Sequence, residues 1–278
     1  MAKIAILVSG QTRDLDKNWE RWLQDVDTLF GQHEYDFFGH TWTDQQGLPD
    51  KTANFIEFKK TDQNEVWEGA KPYLWDLIPG KTEWLEKQEY IDLLNGKSNM
   101  YDFIKGRIIG VYSQMYSHCQ VCKLADGHLP HYNAFVRWRW DGGLWEEQWQ
   151  EHKDAWYKNL NDYIMWQGEY KHKYWLRKKA NICVTLPFVS GPDTFMSDLC
   201  WLQNKMATEH FMGLENFWTN IHKARTQYKS TYERPTDHGL WHDFILQNEI
   251  NVLPYAPNIS GHGLVAHTWP KENKKWHN

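Results

Sequence analysis

The chain has 278 residues, a formal net charge of -5 at pH 7 and a pI near 6.3, a balance that argues against general nucleic-acid affinity while leaving room for a local basic patch. Its longest apolar run, Ile4 to Val8, is far short of the ~20 residues that span a bilayer and too short for a secretory core. A chain with no membrane span and no export signal is therefore expected, cytoplasmic in location. The 18 tryptophans serve chiefly as core, because such large rings are usually buried, with some left over as platforms for sugars or bases.

In chain order, KIAILVSG reads as a central strand buried on both faces that ends at Gly10, and TRDLDKNWERWLQDVDTLF follows with helical periodicity. YDFFGHTWTD reads as a second, aromatic strand whose end carries His40, Thr41, Trp42, Thr43 and Asp44. From about residue 45 to 105 the pattern is that of a variable helical middle, with charged pieces such as KTEWLEKQEYIDLLNG. A helix around Val111 to Leu124 comes next, with Tyr112, Met115, Tyr116, Cys119 and Cys122 on its apolar face. Cys119 and Cys122 with His128 and His131 carry four zinc-type ligands, but the histidines follow too soon for a finger, so buried thiols are the expected state.

NAFVRWRWDGG reads as a strand that alternation divides into Phe135, Arg137 and Arg139 on one face and Val136, Trp138 and Trp140 on the other, stopped by Asp141 and two glycines. Arginines at the carboxyl end of a sheet strand can face a ligand crevice, and this pair with Asp141 beside it suggests an anion site. A Trp-rich, basic insert follows from about 142 to 180 and contains KHKYWLRKK, Lys171 to Lys179, which is either a solvated face or a polyanion contact. NICVTLPFVSGPDTFM gives a further strand and a helix start at Asp193, RPTDHGLWHDFILQNE a capped helix near Asp237 and His238, and INVLPY another strand. The C-terminal SGHGLVAHTWPKENKKW, with His262, His267 and Lys271, reads as a solvated tail. The alternation of strands and helices predicts one α/β domain over residues 1–278, built on a mixed, mostly parallel sheet flanked by helices.

Taken in order, KIAILVSGQTR, YDFFGHTWTD, GVYSQMYSHCQVCKLA, FVRWRWD, FVSGPDTFM and RPTDHGLWHDFILQNEINV resemble a family of GT-A-like glycosyltransferases found in polysaccharide gene clusters and phage genomes. The resemblance implies a GT-A-like (Rossmann-like) fold and transfer of a sugar from a nucleotide-sugar donor to an acceptor hydroxyl. It implies a nucleotide pocket at Ser9, Gly10, Gln11 and Arg13, with His40 and Trp42 as a neighbouring wall. Where the family has Asp-x-Asp this chain has Arg139-Trp140-Asp141, so Asp141 alone is left for Mn²⁺ or Mg²⁺, and Arg137 or Arg139 can meet the diphosphate directly. His262 is the remaining metal candidate, by likeness to a C-terminal histidine of some retaining enzymes.

An acceptor hydroxyl needs a base in an inverting reaction, and Asp237, His238 and Asp193 are equal candidates. The acceptor is a glycan or, alternatively, a hydroxymethylated pyrimidine in phage-type DNA, the location then being the host cytoplasm. A non-catalytic carbohydrate-binding protein is the reading from another class; it would not need Arg137, Arg139 and Asp141 at one strand end.

Overall fold

The computed structural model describes residues 1–13, 15–44, 54–66, 68, 99–144, 154, 157, 182–185, 200–219, 241, 244–245, 248, 250–254 and 264–266. Seven strands form the main sheet: β1 (Lys3–Ser9), β2 (Glu34–Trp42), β3 (Phe55–Thr61), β4 (Ala134–Arg139), β6 (Ile182–Thr185), β7 (Cys200–Gln203) and β8 (Asn251–Pro254). Their order is β3-β2-β1-β4-β7-β6-β8. Every neighbouring pair is parallel except those made by β7, which runs antiparallel to β4 and β6. This is the mixed, mostly parallel α/β class expected, and helices cover both of its faces.

The sequence explains why β1 is central. Ile4 to Val8 are all fully buried, and each large apolar side chain so placed contributes about 1.5–3 kcal/mol. Alternation splits the run: Ala5 and Leu7 face one core, and Ile4, Ile6 and Val8 the other. The second core is closed by α1 (Leu15–Phe30), whose Leu15, Trp19, Trp22, Val26, Leu29 and Phe30 recur at helical spacing and are buried. The first core is closed by α2 (Asn99–Leu124) together with α3 (Lys205–Phe211) and α4 (Leu214–Thr219). In α3, Asn204 caps the first turn by accepting the Ala207 N–H at 2.8 Å. No helix among the described residues is long and apolar enough to cross a membrane.

Cys119 and Cys122 are fully buried on the apolar face of α2. Cys119 Sγ lies 3.2 Å from the Met212 carbonyl, and burial pushes its thiol up to about 11. His128 instead pairs with Glu57 at 3.1 Å, so these residues do not assemble a zinc site.

Three expectations change. The middle segment contains β3, an edge strand of the sheet, and α2 begins well before Val111. β3 was hidden because FIEFKKT has an edge strand's mixed exposure and charge rather than clean alternation. The C-terminal segment is not simply a solvated tail: β9 (Leu264–Ala266) pairs antiparallel with β5 (Gly142–Leu144), with Ala266 opposite Gly142. β7, with no sequence signal beyond the four apolar-leaning residues CWLQ, inserts between β4 and β6. Of the basic insert, Tyr157 is described, and its hydroxyl donates to the Thr28 carbonyl of α1.

Candidate functional site

The chain leaves β1 through α1 to β2 on one side, then returns through α2 to β4 on the other side of β1. α1 lies on one face of the sheet and α2 on the opposite face. The carboxyl ends of β1 and β4 therefore flank a topological switch point, the place where an open α/β sheet forms its ligand crevice. Register puts Lys59, His40, Ser9 and Arg139 in one row across β3, β2, β1 and β4 at that edge.

The loop after β1 forms the first wall. Gly10 has φ +112°, a conformation open to glycine, and Arg13 has φ +47°, in the left-handed region that a non-glycine residue enters only when its surroundings hold it there. Those surroundings are visible. The Gly10 N–H donates to Ser117 Oγ at 2.9 Å, and the Gly10 carbonyl accepts the Thr41 hydroxyl at 2.9 Å. The Thr12 carbonyl takes the Leu15 N–H, which starts α1.

The turn after β4 forms the second wall. Its backbone is held by two indoles: Trp22 Nε1 donates to the Arg139 carbonyl, and Trp140 Nε1 donates to the His40 carbonyl at 2.9 Å. A side chain at Gly142 would bring its Cβ within 3.1 Å of the Arg139 carbonyl oxygen, a tight contact that glycine avoids.

The two walls meet at Asp141. Arg139 grips its carboxylate with two parallel bonds, Nε to Oδ1 and Nη2 to Oδ2, each 2.7 Å, and Arg13 Nη1 reaches Oδ2 at 2.8 Å. Side-chain exposure is 3% for Asp141, 11% for Arg139 and 36% for Arg13, so the outermost group is a cation. Two guanidiniums against one carboxylate leave the cluster with a surplus positive charge, and planar arginine forks suit phosphate oxygens as they do carboxylates.

Ser9, Gly10, Gln11, Arg13, Arg139 and Asp141 are thus brought together at one sheet edge. Ser9 is itself 1% exposed, and three further candidates are buried as well. Arg137 is 1% exposed, its guanidinium 4.2 Å above the Trp201 ring and 4.7 Å from that of Trp241. Trp42 is fully buried and stacked on Tyr116. His40 is fully buried as well, and burial, with Lys59 nearby, pushes its imidazole down to about 3. Buried side chains of this kind support a site rather than touch its ligand. Asp193, Asp237, His238 and His262 lie outside the described residues, as do His267, Lys271 and Lys171 to Lys179.

Sequence reasoning missed Thr12, Thr61 and Ser117, and named Thr41 at its strand end without giving it a role. Ser9 Oγ and Thr12 Oγ1 are buried at the loop without a hydrogen-bond partner among the described residues, an arrangement that costs free energy unless another group completes it. Ser117 did leave a signal: a polar residue on the buried face of α2.

Asp141 is the carboxylate the resemblance assigns to Mn²⁺ or Mg²⁺. Both its oxygens are occupied by guanidinium N–H groups, and a divalent ion there would face two positive charges at close range. Among the described residues no cluster of three or more acidic, histidine or cysteine side chains supplies another set of ligands. The described residues do not fit a metal at this position.

No protein-family model and no curated protein matches the chain. Among solved structures it is similar to mouse xyloside xylosyltransferase 1 in its apo form, at 6% identity and a TM-score of 0.39, over 91% of this chain and 84% of that one.

Proposed function

We propose that the chain is a glycosyltransferase that binds a nucleotide-sugar in the crevice between β1 and β4 and passes the sugar to a hydroxyl of a glycan acceptor. The observation that carries this reading is the Arg13–Asp141–Arg139 cluster, positively charged and sited at the switch point.

In the proposed reaction the bond from the anomeric carbon to the diphosphate oxygen breaks, and the nucleoside diphosphate leaves with the electron pair. The acceptor oxygen forms the new bond to that carbon and gives up its proton to a base, for which Asp237, His238 and Asp193 remain equal candidates. Leaving-group charge is what must be stabilised, and Arg13 and Arg139 are placed to do so as that charge develops. Asp141 keeps the two guanidiniums apart and aimed, in the manner of a counter-ion that the diphosphate replaces on Arg13. Because these arginines occupy the carboxylate, the proposed chemistry runs on a cation clamp.

The test is a thermal-shift screen of nucleotide-sugars in the presence of EDTA, followed by transfer of labelled sugar to a panel of oligosaccharides. A ligand that binds the native state raises the melting temperature, and one nucleotide should stand out. A net charge of -5 supports the glycan over a polyanionic acceptor, and hydroxymethylated duplex DNA in the same panel checks that choice. Label appearing in DNA alone would overturn the glycan acceptor; no shift with any donor would overturn the proposal.

A further inference from the structure

The two walls of the crevice come from distant parts of the chain, and one residue touches both. His40 Nδ1 is 2.7 Å from Ser117 Oγ, the atom that accepts the Gly10 N–H. Its Nε2 is 2.9 Å from Thr61 Oγ1 at the end of β3. Its main-chain carbonyl accepts the indole N–H of Trp140, the residue between Arg139 and Asp141. Thr41, the next residue, donates its hydroxyl to the Gly10 carbonyl.

We infer that His40 is the positioning residue of the crevice, fixing the Gly10–Arg13 loop through its ring and Ser117, and the Arg139–Asp141 turn through its carbonyl. This inference rests on the proposed donor site and assigns His40 a role without ligand contact.

The shorter of two distances gives the placement of protons that this positioning role uses. Ser117 has one hydroxyl proton, and its oxygen already takes the Gly10 N–H. The proton goes to Nδ1 at 2.7 Å rather than to the His40 carbonyl at 3.5 Å. In that tautomer Nε2 carries the ring proton and donates it to Thr61. The groups around the ring hold it uncharged: Lys59 of β3 repels a second proton, Tyr116 of α2 and Trp42 of β2 set their rings edge-on to it, and the side chain is fully buried. A neutral, doubly bonded imidazole is a fixed spacer. Its two bonds link Thr61 of β3 to Ser117 and, through Ser117, to the loop, so a change in the ring transmits to Gly10.

Two measurements test this on the intact chain. The first compares pyrophosphate binding by calorimetry in wild type, His40→Asn and His40→Leu. Asparagine keeps a polar atom for Ser117, whereas leucine keeps bulk alone. Positioning predicts that His40→Leu weakens pyrophosphate binding about tenfold, a loss of about 1.4 kcal/mol, and that His40→Asn recovers part of it. A role in packing alone predicts the opposite order, with leucine the better substitute, and that order would overturn the inference. The second measurement is the ¹⁵N spectrum of the His40 ring in the wild type between pH 5 and 7. Positioning predicts an uncharged ring with its proton on Nε2 throughout. A charged ring, or a proton on Nδ1, would overturn it. If wild type binds neither pyrophosphate nor any nucleoside diphosphate, the proposed donor site fails, while the ¹⁵N spectrum still decides the wiring of His40.

Discussion

Arg137 and Arg139 are two residues apart on β4 and point to the same face, yet one strand gives them opposite fates. Arg137 lies within the sheet, where β7 covers it, and its charge rests against Trp201 and Trp241. Arg139 lies at the last position of the strand, where the sheet ends and Asp141 turns back to meet it. Chemistry alone does not make an arginine a ligand group. Distance from the carboxyl edge of the sheet decides whether its charge is buried, because only there can a charge leave the core without losing its support.

Breaking the buried member should have the largest effect on stability. Arg137→Ala removes the guanidinium packed on two indoles and should cost about 3 kcal/mol, read as a lowered urea midpoint. Pyrophosphate affinity of the folded fraction should be unchanged, and a selective loss of affinity would return Arg137 to the crevice.

The edge member should behave in reverse. Arg139→Ala should weaken pyrophosphate and nucleoside diphosphates by about 1.5–3 kcal/mol, and the bare nucleoside hardly at all. Equal losses for all three ligands would mean that the arginine serves the turn and not the phosphate.

The histidines sharpen the contrast through pH. His40 is held down to about 3 and His118 well below its ordinary value, in both cases chiefly by burial. The unfolded chain therefore binds more protons than the folded one below about pH 6.5, and stability must fall as pH falls through that window towards 3. Each such histidine contributes a slope of about 1.4 kcal/mol per pH unit, and His40→Asn should remove one such slope from the urea-unfolding profile. An unchanged profile would show that His40 titrates normally.

The smallest change is expected at Arg13. Its left-handed backbone is strained, so Arg13→Gly should leave stability unchanged or raise it by up to about 1 kcal/mol while pyrophosphate binding weakens. Lower stability and intact binding together would reverse the assignment.

Much of this geometry was legible in the sequence. The run IAILV could only be a doubly buried strand, and the alternation in FVRWRW assigned faces correctly: Phe135 lies in the α2-side core, with Val136, Trp138 and Trp140 in the α1-side core. Arg139 and Asp141 could be named because they stand where an apolar strand pattern breaks, whereas Gly10 and Arg13 were named through the family resemblance. What stayed hidden depended on long-range partners. The burial of Arg137 requires β7 and Trp241, which are separated from it by more than sixty and one hundred residues. The role of Ser117 requires Gly10, far away in the chain, and no local pattern encodes that pairing. β3 and β9 failed for another reason, since short edge pairings need little hydrophobic signal once a neighbouring strand supplies the hydrogen bonds.

The central claim is that Arg13 and Arg139 form a cation clamp for the diphosphate of a nucleotide-sugar. Its most direct test is calorimetric titration of UDP, GDP and pyrophosphate, with EDTA present, into wild type and the Arg13→Ala/Arg139→Ala double variant. The account predicts saturable binding of pyrophosphate and at least one nucleoside diphosphate by the wild type, lost in a double variant that remains folded. Binding that survives the double variant, or that occurs only when a divalent metal is restored, would contradict it.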